Sequence, residues 1–136
     1  MFYNAIKEKM KQITNTILMI QPVIFRFNEQ TAENNYYQKI LDDLSPEKTQ
    51  EKALSEFNAF VDVLKEKGIN IIVIKDKKSD TPDSIFPNNW VSFHESGNIA
   101  IYPMYAKNRR DERREDIFDI LVDDYKFEIN YIKDFT

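Results

Sequence analysis

Trp90-Val91-Ser92-Phe93-His94-Glu95-Ser96-Gly97-Asn98-Ile99-Ala100-Ile101-Tyr102 (WVSFHESGNIAIY, 90–102) is the stretch from which the fold is read. Two β-prone runs, Trp90–His94 and Asn98–Tyr102, flank Glu95-Ser96-Gly97, and the glycine supplies the positive φ that a tight turn needs. The stretch is therefore a β-hairpin. Downstream, apolar spacing predicts a helix from about Arg109 to Asp123 with Ile117, Ile120 and Leu121 facing inward. Phe127, Ile129 and Tyr131 then alternate with Lys126, Glu128 and Asn130, which predicts a half-buried strand over Phe127–Ile132. Hairpin, helix and strand make a ββαβ unit running from about Asp83 to Tyr131, the size of one repeating module.

Upstream the order is β-α-α-β. Thr14–Gln21 (TNTILMIQ) is a continuous apolar, β-branched run closed by Pro22, hence a buried strand. A loop from Pro22 to Thr31 carries Phe25 and Phe27, which fit core or interface packing better than ligand contact, and a short helix is expected over Ala32–Leu41. The next helix is the clearest element. Ser45 suits its N-cap, Pro46 its first turn, and Glu47 the positive end of its dipole. Ala53, Leu54, Phe57, Phe60, Val61 and Leu64 form one apolar stripe, and Gly68 supplies the left-handed stop. Ile69–Ile74 alternates little and predicts a strand buried on both faces. The fold class is α/β (α+β), with residues 1–13 as a short polar helix or arm and residues 14–136 as a single domain.

Composition excludes several function classes. The chain has 136 residues, 19 Lys and Arg against 23 Asp and Glu, and a net charge of −4. That balance argues against duplex nucleic acid as a partner, because such affinity comes from neutralising phosphates. No apolar run reaches the ~20 residues of a membrane span, and residues 1–13 lack the hydrophobic stretch of a secretory signal. The expectation is a soluble cytoplasmic protein. Cysteine is absent, which excludes thiol catalysis and thiolate metal sites within the chain. With two glycines, nucleotide loops are excluded, and with one histidine there is no ligand pair for a metal. No cofactor and no metal are expected.

The chemistry concentrates in Thr81-Pro82-Asp83-Ser84-Ile85-Phe86-Pro87-Asn88-Asn89. Pro82 and Pro87 restrict the backbone on both sides of Asp83 and the Asn88–Asn89 pair. One interpretation is an Asx-turn entering the hairpin, with Asp83 capping its own backbone. The other is a held set of polar groups for a ligand. His94 lacks convergent partners and fits a structural residue at a strand end. Arg109, Arg110, Arg113 and Arg114 open the predicted helix against its dipole, offset by Arg109–Glu112, Asp111–Arg114 and Arg113–Asp116 pairs. A solvated, ion-paired face is the simpler account of these arginines, and an anion site the alternative.

PDSIFPNNWVSFH, GNIAIYPM and NRRDERREDI, together with TILMIQPVIFRFNEQTAENNYYQ, resemble the amidinotransferase (pentein) superfamily. They are most similar to its citrulline-hydrolase-like branch, with arginine deiminases and dimethylarginine dimethylaminohydrolases as more distant relatives. The resemblance covers the chain from about Thr14 onward. It implies a propeller of five ββαβ modules, of which about two are present here. It also implies hydrolysis of a guanidino or ureido C–N bond through a covalent cysteine intermediate, with a histidine moving protons. Neither the nucleophile nor the catalytic histidine falls in this chain, and His94 is no replacement. The expectation is the N-terminal part of an amino-acid hydrolase of the citrulline or arginine type, inactive alone. Alternatives are a non-catalytic module or one subunit of a split enzyme. Asp83, Asn88 and Asn89 are the expected substrate-binding residues, and Asn28 is a further candidate on a loop over the site. Amides at Asn88 and Asn89, where guanidinium-binding relatives are commonly acidic, suit a neutral ureido group, which both donates and accepts. An incomplete ring exposes apolar surface and open strand edges, so self-association or a partner chain is also expected.

Overall fold

A pair of parallel strands and a separate three-stranded sheet share one apolar core. The computed structural model describes residues 13–33, 35–36, 45–77 and 80–136. The proposed N-terminal arm, apart from Ile13, and most of the expected Ala32–Leu41 helix lie outside the described residues. Strand β1 is Thr16–Gln21, and it pairs in parallel with β2, Asn70–Lys75, from Thr16 opposite Asn70 to Gln21 opposite Lys75. Ile72 and Ile74 are buried while Ile71 and Val73 are half-buried, so the faces of β2 are unequal, contrary to the expectation of full burial on both. The described chain covers one face fully and the other in part.

A short helix forms around the end of the Pro22–Thr31 segment. Helix α1 is Glu29–Ala32, all but its last residue in the segment expected to be loop, because the Asn28 side chain accepts the Gln30 N–H and acts as N-cap. Helix α2, Pro46–Glu66, connects β1 to β2 and follows its capping residues closely. The Ser45 hydroxyl accepts the Lys48 N–H at 3.3 Å. At the other end Gly68 (φ +80°) donates to the Lys65 carbonyl and Ile69 to that of Leu64, the paired bonds of a Schellman stop. Val61 is the fully buried member of its stripe, whereas Phe60 remains exposed. From α2, Gln50 bonds the Pro22 carbonyl through Nε2 and the Phe25 N–H through Oε1, which fixes the course of the loop leaving β1.

The hairpin forms as expected. Strands β3, Val91–Phe93, and β4, Asn98–Ile101, are antiparallel, with Gly97 at φ +75° in the turn. A continuous helix over Arg109–Asp123 does not form. Instead α3 is Lys107–Arg110 and α4 is Asp116–Asp123, separated by residues whose side chains turn to ion pairs. The last strand is β5, Tyr131–Asp134, parallel to β4, and not Phe127–Ile132. Phe127 and Ile129 do pack on the core as their alternation implies, but in extended chain before the ladder begins. The ββαβ order of this unit is therefore observed: β3, β4, α4, β5.

Trp90, Ile99, Ile101, Ile117 and Leu121 centre the core, and Ile20, Ile72 and Ile74 of the parallel pair join the same cluster. Trp90 is 1% exposed and packs its ring against Phe118. Burying each such side chain contributes about 2–3 kcal/mol. This anchor holds the end of the Asp83–Trp90 segment against the sheet, and that segment carries the site.

Candidate functional site

The Asp83 segment is a chain of tight turns fastened at both ends. Thr81 and Pro82 are fully buried, and the Thr81 hydroxyl donates to Asp76 Oδ2 at 2.9 Å just beyond β2. Backbone bonds from Ser84 to Thr81, Phe86 to Asp83, Asn89 to Phe86 and Trp90 to Pro87 close successive turns, ending in a 3-10 turn over Pro87–Asn89. The two prolines and the buried Trp90 thus hold Asp83 and Asn89 on a rigid stretch of backbone.

The Asp83 side chain does not cap its own backbone. Its Oδ2 accepts Asn28 Nδ2 at 2.7 Å, from 55 positions upstream, and lies 3.4 Å from the Thr31 hydroxyl. Arg109 Nε approaches the same oxygen at 3.9 Å. Among the described residues Oδ1 has no hydrogen-bond partner and retains some exposure to solvent. One carboxylate oxygen is anchored and the other is available.

Arg109 is held by Glu112 through two parallel bonds, Nε to Oε1 and Nη2 to Oε2, each 3.0 Å. The Glu112 side chain is 1% exposed and that of Arg109 14%. Burial pushes the Glu112 carboxyl above its ordinary range, outweighing the Arg109 guanidinium that pulls it down, and Asp83 and Asp76 add to the rise. With Arg109 matched by Glu112, the unmatched charge of this trio is the Asp83 carboxylate. The neighbouring arginines are not a uniform solvated face either. Arg114 is buried, bonded to Asp116 and to the Lys75 carbonyl, while Arg113 joins Glu115 and Asp134. The Arg109–Glu112 pair matches its expected spacing. Arg113 and Arg114 pair with Glu115, Asp134 and Asp116 in place of the expected partners.

These groups wall an open cleft of about 420 Å³. Asp83, Phe86 and Asn89 form one wall, Tyr105 and Arg109 another, and Thr31 a third. Of the expected site residues, Asp83 and Asn89 come together in this lining. Asn88 stands exposed beside Asn89, outside the lining, and Asn28 is 1% exposed behind Asp83. Thr31, Tyr105 and Arg109 line the cleft without any signal in the sequence, and Asn108, outside the lining, donates through Nδ2 to Asn28 Oδ1 at 2.7 Å. The three-residue spacing of Arg109 and Glu112 signalled their pairing, but nothing local signalled its burial. His94 bonds Ser92 on the exposed side of the hairpin, away from the cleft-lining residues. Among the described residues no three His, Asp or Glu side chains gather as metal ligands, and no helix is long and apolar enough to cross a membrane.

A carboxylate with one open oxygen, a side-chain amide and an ion-paired arginine around a small volume can donate and accept hydrogen bonds within the cleft. The chain belongs to the family described as N,N dimethylarginine dimethylhydrolase, eukaryotic, whose model matches residues 21–136. No curated protein and no solved structure matches it.

Proposed function

We propose that the cleft binds the ureido or guanidino end of an amino acid of the citrulline or arginine type, as the recognition part of a C–N bond hydrolase. The observation that carries this is the divided role of Asp83, with Oδ2 fixed by Asn28 and Oδ1 left for a donor on the ligand. Family membership supports the class, since the family is described by hydrolysis of dimethylarginine. Asp83 Oδ1 accepts an N–H of the ligand or its α-ammonium group. Asn89 supplies one donor and one acceptor, which matches a neutral ureido group and leaves a guanidinium, with donors only, short of an acceptor. Both asparagines are exposed, but Asn89 alone of the two lines the cleft, so selectivity rests on Asn89, with Asn88 at the rim. The chain contains no cysteine, so in the cysteine-dependent chemistry that the motifs imply, the thiolate comes from outside it. Calorimetry with L-citrulline and L-arginine tests this. L-Citrulline is expected to bind more tightly, Asp83→Ala to lose at least tenfold for both, and Asn89→Asp to move the preference toward arginine. Preference for arginine by the native chain, unchanged in Asn89→Asp, rejects the ureido assignment.

A partner role is favoured by a specific observation. Among the described residues β1 and β2 form a two-stranded parallel sheet with both outer edges open, an arrangement that ordinarily lies within a larger, covered sheet. Strand β5 is also an open edge, and Tyr131 and Phe135 expose more than half of their surfaces. We propose that a second chain or a second copy covers these edges, as for one subunit of a split site. Multi-angle light scattering should show association, and a monomer at high concentration contradicts it.

A further inference from the structure

We infer that Asn28 is a positioning residue that orients Asp83, rather than a residue that touches the ligand; this rests on the cleft assignment above. Asn28 is 1% exposed, so its amide lies behind the cleft wall. Its hydrogen bonds admit one orientation. A carboxylate only accepts and a backbone N–H only donates. Nδ2 must therefore face Asp83 Oδ2 at 2.7 Å, and Oδ1 must face the Gln30 N–H at 3.2 Å. Turning the amide over sets oxygen against oxygen and N–H against N–H. With Oδ1 so directed, Asn108 must present Nδ2 to it, at 2.7 Å. Asn108 is held in turn by its backbone N–H, which donates to Gln30 Oε1 at 2.9 Å.

Asn28 thereby bonds to each of the segments that wall the cleft: the first turn of α1, leading to Thr31; the turn of Asp83; and α3, with Arg109 next to Asn108. Its donor takes Asp83 Oδ2 and leaves Oδ1 as the acceptor offered to a ligand. Arg109 is a weaker candidate for this task, since it lies 3.9 Å from Oδ2 and has both of its bonds to Glu112 at 3.0 Å. The charged groups at the position are Asp83, in contact, and Arg109, which approaches the same carboxylate at 3.9 Å and is itself paired with Glu112.

The test uses the full chain and the side-chain torsion of Asp83, read by NMR from three-bond couplings of its carboxyl carbon. The native chain is expected to show one rotamer from pH 5 to 8, and Asn28→Ala to show averaging over the same range. Asn28→Asp separates positioning from general stability. Protonated, its O–H replaces the amide N–H toward Asp83 while its other oxygen still accepts from Gln30 and Asn108. Ionised, it sets carboxylate against carboxylate. Asn28→Asp is therefore expected to show the native rotamer at low pH and reversible averaging above, with amide dispersion around Trp90 unchanged. Native couplings in Asn28→Ala, or in Asn28→Asp at pH 8, overturn the role. So does global unfolding of Asn28→Asp in step with the averaging, which marks a general structural residue. If Asn28→Ala does not fold, Asn28→Asp alone decides. L-Citrulline added to the native chain tells the two claims apart. Absence of any shift with the couplings as expected removes the cleft assignment and leaves the positioning role.

Discussion

Replacing Gly97 by alanine should destabilise the chain more than the same change at Gly68, although both glycines have nearly the same φ. Gly68 has φ +80° and Gly97 φ +75°, so an alanine at either position pays the left-handed cost of about 1–2 kcal/mol. Their surroundings separate them. A Cβ at Gly68 meets nothing within 4 Å. A Cβ at Gly97 sits 2.7 Å from the Glu128 carbonyl oxygen and 2.9 Å from Asn130 Nδ2. The amide of Asn130 turns aside only by giving up its bond to the Ser96 carbonyl. The Glu128 carbonyl cannot turn aside, because Asn130 is fastened to the turn by its N–H to the Gly97 carbonyl at 2.9 Å and by its side chain to Ser96. Relieving such a contact by backbone or angle distortion costs a further 1–3 kcal/mol, roughly. Gly68→Ala is then worth about 1–2 kcal/mol and Gly97→Ala about 2–5 kcal/mol. At roughly 4 °C per kcal/mol for a chain of this length, their midpoints should differ by about 4–12 °C in calorimetry. Faster hydrogen exchange at the Asn130 amide should accompany Gly97→Ala alone. Equal losses, or a larger loss at Gly68, would refute the claim that the extended chain before β5 packs directly on the hairpin turn.

Other outcomes follow from the buried charges and the core. Arg114 and then Lys77 hold the Asp116 carboxyl below its ordinary range despite partial burial. A lowered carboxylate stabilises the fold above its unfolded pKa and loses that contribution as pH falls, so Asp116→Asn should cost most near pH 7 and progressively less below about pH 4 in urea titrations. Glu112 runs the other way. Its raised carboxyl favours the folded state while protonated, and this contribution is lost as pH rises. Glu112→Gln should therefore gain stability relative to the native chain as pH rises from about 4.5 through the raised folded value. Trp90→Ala, which empties a site 1% exposed, should cost about 3–5 kcal/mol by denaturant and loosen the Asp83 turns ahead of it.

Where a structural cause was local, the sequence displayed it. Ser45, Pro46 and Gly68 bound α2 within a residue or two, and the Gly97 hairpin was legible. Where the cause was tertiary, it did not. The predicted Arg109–Asp123 helix breaks because Arg113 and Arg114 reach Asp134 and the Lys75 carbonyl, partners 21 and 39 positions away. Strand β5 begins later than its alternation suggests because Asn130 is engaged at the Gly97 turn before the ladder starts. In the site, Asn28, expected on a loop over the site, is buried and its orientation is set by Gln30, Asp83 and Asn108 together, none of which is local in sequence except Gln30. The short helix at Glu29–Ala32 follows from that same amide acting as N-cap.

The most direct test of the recognition cleft is a chemical-shift titration of the isotopically labelled chain with L-citrulline. The predicted result is saturable shifts confined to Asp83–Trp90, Tyr105 and Arg109, lost in Asp83→Ala, with no ammonia released by the chain alone. No saturable shifts, or shifts centred on the separate groove beside Lys65, Gly68 and Tyr125, would contradict it.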